Sequence, residues 1–209
     1  MSIFDYRVVS VAPRSLADVA ERIMTSGQSQ VNALGGSLFG VWLGIIGFAR
    51  DEGVVMSAWP DVDSASTHGP AAVDVPGVLN HLGSQLSPTV RPMDATPPTS
   101  GGVYAHRWFE LAADDWDNFQ RLSADAWPHM ERDHDANIIG LWLDVNAEAR
   151  QAKALLLTRY RDLSVWEASR WWSQPDPEAD GASRRFKSRG ELTQATHVNI
   201  TTLSPYRTV

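Results

Sequence analysis

One stretch of this sequence, VYAHRWFE at positions 103–110, concentrates side chains that can do acid/base chemistry. His106, Trp108 and Glu110 are each two residues apart, and successive side chains of a β-strand point to opposite faces, so these three would share one face. A histidine close to a carboxylate can act as a general base near neutral pH. The alternative interpretation is a histidine that hydrogen-bonds to its neighbours in a core or at a sheet edge. The sequence leaves both interpretations open.

A second group of titratable residues lies in the segment WPHMERDHD at positions 127–135. Side chains three or four residues apart can meet on a helical turn, so His129 can pair with Asp133, and Glu131 with His134. His129 and His134 are five residues apart, a spacing that suits two ligands of one metal poorly. The pattern therefore indicates an ion-paired helix end, or His134 as an acid, a base or a ligand at a cleft, and no metal site.

Three further features bear on anion binding. Arg107 lies on the predicted strand, where a buried guanidinium needs a carboxylate, backbone carbonyls or the anionic group of a ligand. Tyr160 ends the apolar run ALLLTRY and could donate its hydroxyl at the rim of a cleft. The basic run RRFKSR at 184–189 is either a solvated loop or a grip for a carboxylate or phosphate.

Aromatic side chains are concentrated in the second half of the chain, which holds seven of the nine tryptophans. Part of this set must fill a core, and a cleft lined by the rest would suit a flat hydrophobic or aromatic molecule. The candidate catalytic residues are therefore His106, Arg107, His134 and Tyr160. The candidate substrate-binding residues are Tyr104, Trp108, Glu110, Trp127 and Trp142.

An internal repeat organises the chain. The segment IFDYR at 3–7 aligns with VYAHR at 103–107, and GVWL at 40–43 aligns with GLWL at 140–143, at a constant offset of 100 residues. This register divides the chain into repeats at 1–100 and 101–209. Shared positions, such as Trp42 and Trp142, are expected to serve the scaffold. Positions that differ, such as Tyr6 and His106, are expected to serve a site in the second repeat.

Each repeat has the βαββαβ order of a ferredoxin-like unit. In the first repeat, alternation and β-branched residues predict a helix that opens near Pro13 and strands at 3–11, 37–48, 53–59 and 88–97. In the second repeat they predict a helix at 114–132, a loop at 173–191, and strands at 103–111, 137–144, 153–160 and 193–203. Two such units can pack sheet against sheet. The predicted fold class is therefore α+β, with tandem ferredoxin-like repeats that form one fused barrel.

The composition limits the kinds of binding partner and the cellular compartment that are expected for this chain. The chain of 209 residues has a net charge of −7 at pH 7 and a pI near 5.3, which counts against a nucleic-acid partner. It has no cysteine, so disulfides and thiolate chemistry are excluded. The longest apolar run, at 38–48, is too short to span a bilayer. No signal peptide is recognisable, which predicts a cytoplasmic protein without a membrane partner.

The first strand of each repeat, IFDYRVVSV and VYAHRWFEL, resembles the (I/V)YExRxYxL opening of the NIPSNAP family. That family's GGxLLGVW strand and the hairpin that follows it are similar to the segment GGSLFGVWLGIIGFARDEGVVMSAW of the first repeat. The same strand and hairpin are similar to HDANIIGLWLDVNAEARQAKALLLTRY of the second repeat. Leu34 and Gly35 stand where the family has a His-Gly pair; His134 matches that histidine, but Asp135 follows it. The resemblance implies the dimeric α+β barrel superfamily, which includes cofactor-free monooxygenases, EthD-like proteins, haem-degrading enzymes and chlorite dismutases.

The resemblance and the residues together predict a NIPSNAP-like enzyme for a small hydrophobic or aromatic substrate, with no metal and no cofactor. His106 or His134 would carry a proton, and Arg107 or Tyr160 would stabilise an oxyanion, in a lyase, isomerase or cofactor-free oxygenase step. One alternative is a haem-binding protein with a histidine as axial ligand. Another is a binding module without chemistry, whose exposed aromatics meet a partner. Self-association into a homo-oligomer is compatible with each of these.

Overall fold

The computed structural model describes residues 2–170 and 181–204, although not the side chains of 181–183. These residues form a closed barrel of eight strands in the order β1-β3-β2-β8-β5-β7-β6-β4. The strands are β1 (Ile3–Val11), β2 (Ser37–Ile46), β3 (Glu52–Trp59), β4 (Val78–Pro88), β5 (Val103–Ala112), β6 (Ala136–Asp144), β7 (Gln151–Tyr160) and β8 (Thr193–Leu203).

The strand order is the same in the two halves of the barrel. The first half runs β4-β1-β3-β2, and the second runs β8-β5-β7-β6, which is the order of a ferredoxin-like sheet. The halves join through antiparallel pairs of β2 with β8 and of β4 with β6, the latter only over Leu86–Pro88. The predicted fold class, α+β with a barrel closed inside one chain, is therefore confirmed.

Helices cover the outer faces of the sheet. They are α1 (Leu16–Arg22), α2 (Gln28–Ala33), α3 (Val62–His68), α4 (Trp116–Asp133), α5 (Leu163–Ala168) and α6 (Gly181–Leu192), with a π-helical turn at Ile23–Gly27 between α1 and α2. Helix α4 buries Phe119, Ala126, Trp127 and Met130 at helical spacing, so it presents one apolar stripe to the sheet. Among the described residues, no helix is both long and apolar enough to cross a membrane.

Strand β5 shows how alternation separates two environments. Tyr104 and Trp108 point into the barrel, where they pack with Phe4, Trp42 and Trp142. The odd-numbered residues of β5 point outward instead, and Ala105 and Phe109 belong to the layers between the sheet and the helices of the second half. The barrel interior is therefore a filled aromatic core, and any space for a ligand must lie under the helices.

Two sequence-based boundaries are wrong. The last strand of the first repeat, predicted at 88–97, ends at Pro88, because the segment that follows contains Pro92 and Pro97, which cannot donate to a ladder. The predicted loop at 173–191 contains α6 from Gly181 onward, while 173–180 lie outside the described residues. The predicted division of the chain at residue 100 falls in the connection between β4 and β5.

Candidate functional site

A cavity of about 330 Å³ lies under the helices of the second half, between the outer face of the sheet and α4, α5 and α6. This volume falls at the lower end of the roughly 300–1,000 Å³ range of small-molecule pockets. Its wall is largely apolar, and seven large apolar side chains contribute to it: Phe109, Trp127, Met130, Ile138, Leu156, Trp166 and Phe186. The shape and wall suit a small hydrophobic or aromatic body.

Polar groups enter this cavity from four elements. Arg107 comes from β5, Thr158 and Tyr160 come from β7, and Arg189 comes from α6. Strand β8 adds three uncharged polar residues: Thr193, Gln194 and Thr196. Arg170, just after α5, also lines the cavity, but it forms an ion pair with Glu167 at 2.9 Å and stacks on the Trp166 ring at 4.1 Å. Within the part of the chain that the structure describes, no aspartate or glutamate lines the cavity.

The surroundings of Arg107 differ from those of its counterpart in the first half, Arg7. Arg7 donates through Nε and Nη2 to both carboxylate oxygens of Asp5, at 2.6 and 3.0 Å, and its Nη1 lies 3.0 Å from Nδ1 of His81. At the equivalent position of Asp5 the second half has Ala105. His81 is paired across the sheet with Val9, and the corresponding residue opposite Phe109 is Thr196.

Both partners of Arg7 are thus absent around Arg107, and both substitutes, Ala105 and Thr196, line the cavity. Burial lowers the pKa of Arg107, the nearby Tyr160 hydroxyl raises it, and the positive charge of Arg170 lowers it further. A guanidinium in such a position favours an anion, because a carboxylate or phosphate can accept two parallel hydrogen bonds from it.

Arg189 reaches the cavity from the last part of α6. Its guanidinium carbon lies 5.0 Å from the ring centre of Phe109 and 4.9 Å from that of Phe186. Burial lowers the pKa of Arg189 to about 9, with a further lowering by the Arg107 charge, so the side chain stays cationic at neutral pH. Its one polar contact among the described residues is a long one, 3.4 Å from Nη1 to Oγ of Ser123.

Tyr160 and Trp127 supply neutral donors. Tyr160 is 6% exposed, and burial raises the pKa of its phenol against the opposing effects of Ser169, Arg107 and Arg189. The phenol is therefore protonated at neutral pH and can donate a hydrogen bond. Trp127 is 2% exposed, and its indole Nε1 has no hydrogen-bond partner among the described residues.

His106 lies on the other face of β5, inside the barrel. It is fully buried, its Nε2 lies 2.9 Å from Oγ1 of Thr201, and the rings of Tyr6 and Trp42 pack against it edge-on at 5.7 and 5.3 Å. Burial lowers the pKa of His106 to about 3, so the imidazole is neutral over the physiological range. The structure therefore does not bring His106 together with Arg107.

The other candidate residues also separate. Tyr104, Trp108 and Trp142 pack in the barrel core, where the Tyr104 hydroxyl donates to the carbonyl of Ser100 at 2.5 Å. Glu110 is partly exposed near the end of β5. His134 follows the C-terminal end of α4, its backbone N–H donates to the carbonyl of Met130, and it does not line the cavity. Of the nine candidates, the cavity gathers Arg107, Tyr160 and Trp127.

Sequence reasoning did not place Arg189 and Phe186 at the site. Both lie in the basic run at 184–189, which the sequence alone allows to be either a solvated loop or a binding segment for a carboxylate or phosphate. A signal was present, because residues 186 and 189 are three apart and share a face if the segment is helical. The acidic and glycine-containing residues just before this run favoured a loop instead.

The described residues provide few suitable ligands for a metal ion or a haem iron. Residues 2–170 and 181–204 contain no group of three or more His, Asp or Glu side chains arranged to hold a metal ion. No histidine is among the described residues that line the cavity, so the axial ligand expected for a haem is not supplied there. The site resembles an anion pocket with an apolar wall.

No protein-family model matches this sequence, and no curated protein does either. Solved structures match nearly the whole chain. A candidate monooxygenase from Lactobacillus acidophilus has a TM-score of 0.65 at 8% identity, with 97% of this chain and 93% of that chain covered. An anthrone oxidase-like protein has a TM-score of 0.60 at 8% identity, with 97% and 91% covered.

A heme-binding protein from Thermus thermophilus has a TM-score of 0.53 at 12% identity, with 97% of this chain and 90% of that chain covered, and chlorite dismutases also match. At such identities the likeness establishes the fold and leaves the chemistry open, because one fold hosts many unrelated sites. The chain therefore has the ferredoxin-type fold of the dimeric α+β barrel proteins.

Proposed function

We propose that this protein binds a small organic anion with a hydrophobic or aromatic body, and that Arg107 holds the anionic group. The observation that carries the proposal is the contrast between two equivalent arginines. Arg7 is neutralised by Asp5, whereas Arg107 faces a cavity with Ala105 in place of the aspartate.

The physical reason is the cost of leaving a charge out of water without a partner. A buried guanidinium that has lost its carboxylate is destabilising unless another anion takes that place. A ligand carboxylate would supply the missing charge, the Tyr160 hydroxyl would donate to it, and the apolar wall would bury the rest of the ligand. Such a site would serve a non-catalytic binding module as well as an enzyme.

Catalysis in the same cavity is the second candidate function. Arg107 and Tyr160 both line the cavity, as a cation and a protonated phenol whose charges influence each other's pKa, and such a donor set stabilises an enolate or alkoxide. The histidine-assisted part of the prediction has less support, because His106 faces the barrel core and His134 is outside the cavity wall. A lyase, isomerase or oxygenase step would therefore rest on oxyanion stabilisation.

Oxygen uptake with anthrone, the compound in the name of one structural neighbour, tests this candidate. We expect uptake that falls in both Arg107→Met and Tyr160→Phe; uptake equal to buffer would remove the oxygenase candidate. The haem alternative has its own test, a Soret titration of the purified protein with haemin. Saturable one-to-one binding would favour it, in spite of the missing histidine.

The binding proposal is tested by calorimetry with 1-naphthoate and its neutral counterpart 1-naphthalenemethanol. We expect the wild-type protein to bind the carboxylate and to bind the alcohol at least tenfold more weakly, since a hydrogen bond to a charged group contributes about 1.5–3 kcal/mol. Arg107→Met should weaken binding of the carboxylate by a similar factor and leave the affinity for the alcohol unchanged.

Arg121→Met is the matched control, because Arg121 is exposed on the outer side of α4 and its removal changes the net charge equally. It should bind 1-naphthoate like the wild type. Equal binding of the acid and the alcohol, or an unchanged affinity in Arg107→Met, would contradict the proposal.

A further inference from the structure

The cavity holds more positive charge than one carboxylate can neutralise. Three arginines line it, and Glu167 compensates one of them, Arg170, from outside the wall. The charges of Arg107 and Arg189 are not compensated by Glu167. Among the residues that the structure describes, neither forms an ion pair.

The two arginines reach the cavity from different elements. Arg107 is fixed by β5, which is paired on both sides by β7 and β8. Arg189 is held by α6 through apolar contacts, with its guanidinium against the rings of Phe109, Phe119 and Phe186 at 5.0, 5.5 and 4.9 Å. Contacts with aromatic faces orient a guanidinium without neutralising it, so its charge remains available to a ligand.

The two guanidinium groups also repel each other. Both side chains line the same cavity, and the charge of Arg107 acts on Arg189. Like charges brought together in a partly buried space need a shared counter-ion, and a singly charged anion would leave one of them uncompensated.

Resting on the proposed function, we propose that the ligand carries two negative charges on a small hydrophobic or aromatic body, and that Arg107 and Arg189 together neutralise it. Aromatic dicarboxylates and aromatic phosphate monoesters share this chemistry, because both are dianions at neutral pH and both accept bidentate hydrogen bonds from guanidinium groups. Arg189 then determines specificity for doubly over singly charged ligands.

The experiment compares three probes with one ring system by calorimetry at pH 7.5: 1-naphthoate, naphthalene-1,4-dicarboxylate and 1-naphthyl phosphate. We expect at least one dianion to bind wild-type protein tenfold or more tightly than 1-naphthoate. The dianion that binds more tightly than 1-naphthoate identifies the second anionic group as a carboxylate or a phosphate. Tighter binding of both dianions would show that the site recognises the number of charges alone.

Arg189→Met should abolish the preference for the dianion: it should weaken binding of the dianion at least tenfold more than binding of 1-naphthoate, since Arg107 still holds one anionic group. Arg184→Met is the matched control, because Arg184 is exposed on the same helix, and it should keep the preference.

The outcomes separate the two proposals. If 1-naphthoate binds and neither dianion binds more tightly, the two-charge ligand is wrong while the anion site stands. If no probe binds, the proposed function itself fails. A preference that persists in Arg189→Met would overturn the role of Arg189.

Discussion

At the scale of single residues, the position two residues before the strand arginine decides what each half can do. Asp5 and Arg7 form a buried ion pair at 2.6 Å in the first half, and Gly69 packs against that pair so closely that an added Cβ would lie 2.5 Å from the Asp5 carboxyl carbon. In the second half Ala105 removes the carboxylate, and the space is a cavity. The loss of this carboxylate therefore distinguishes a candidate binding group from a structural ion pair.

We expect Ala105→Asp to close the site. The new carboxylate would form an ion pair with Arg107 like that of Asp5 with Arg7, so it would neutralise the guanidinium and occupy part of the cavity. In calorimetry the affinity for 1-naphthoate should fall at least tenfold relative to Ala105→Asn, which has nearly the same size and no charge. Equal affinity of the two variants would show that Arg107 does not supply the anion contact.

At the scale of elements, β5 presents chemically distinct faces to two compartments. The face toward the helices carries Arg107, and the face toward the barrel carries His106, whose pKa burial lowers from 6.5 to about 3. Helix α6 adds the second arginine to the outer compartment. The strand thus keeps the imidazole out of the site while it positions the guanidinium.

The buried His106 should make the protein sensitive to acid. Because its pKa is depressed in the folded state, the unfolded chain binds the extra proton between pH 6.5 and about 3, so stability is lost as the pH falls through that window. Urea unfolding at several pH values should show a smaller loss for His106→Gln than for the wild type.

The same His106→Gln variant should bind 1-naphthoate with unchanged affinity, because the residue lies on the barrel side of β5. If its affinity fell more than about threefold while the fold was intact, an influence of His106 on the cavity would have to be accepted.

At the scale of the whole molecule, the two halves share one core. Phe4, Phe39 and Trp42 of the first half pack with Tyr104, Trp108 and Trp142 of the second, and the Phe4 ring meets the Trp142 ring edge-on at 5.4 Å. A core built from both halves makes each dependent on the other, so the predicted repeats at 1–100 and 101–209 are not expected to fold separately.

Truncation of Trp142 should test this dependence. Trp142→Ala should lower the free energy of unfolding by about 3–5 kcal/mol, the usual cost of removing a large aromatic from a core, and Trp42→Ala should cost a similar amount. In urea, tryptophan fluorescence and far-UV circular dichroism should still give coincident single transitions. Two separated transitions would show that the halves unfold independently.

The sequence by itself determined the architecture and part of the site. The constant offset of 100 residues predicted two equivalent halves, and alternation in β5 predicted that His106, Trp108 and Glu110 share a face. These patterns are local, because strand periodicity and a repeated motif can be read along the chain without knowing what lies opposite. Arg107, Tyr160 and Trp127 were identified by type. The NIPSNAP assignment and the cytoplasmic location stay predictions.

Only the tertiary structure decided which of these residues meet. Whether a face of β5 points into the barrel or under the helices depends on how the sheet closes, and no local pattern encodes that choice. Closure placed His106 among aromatic rings and Arg107 in a cavity. The packing of α6 on α4 then brought Arg189, about eighty residues away in sequence, to the same space. Long-range packing made that choice, because the burial of charge is settled only when distant elements come together.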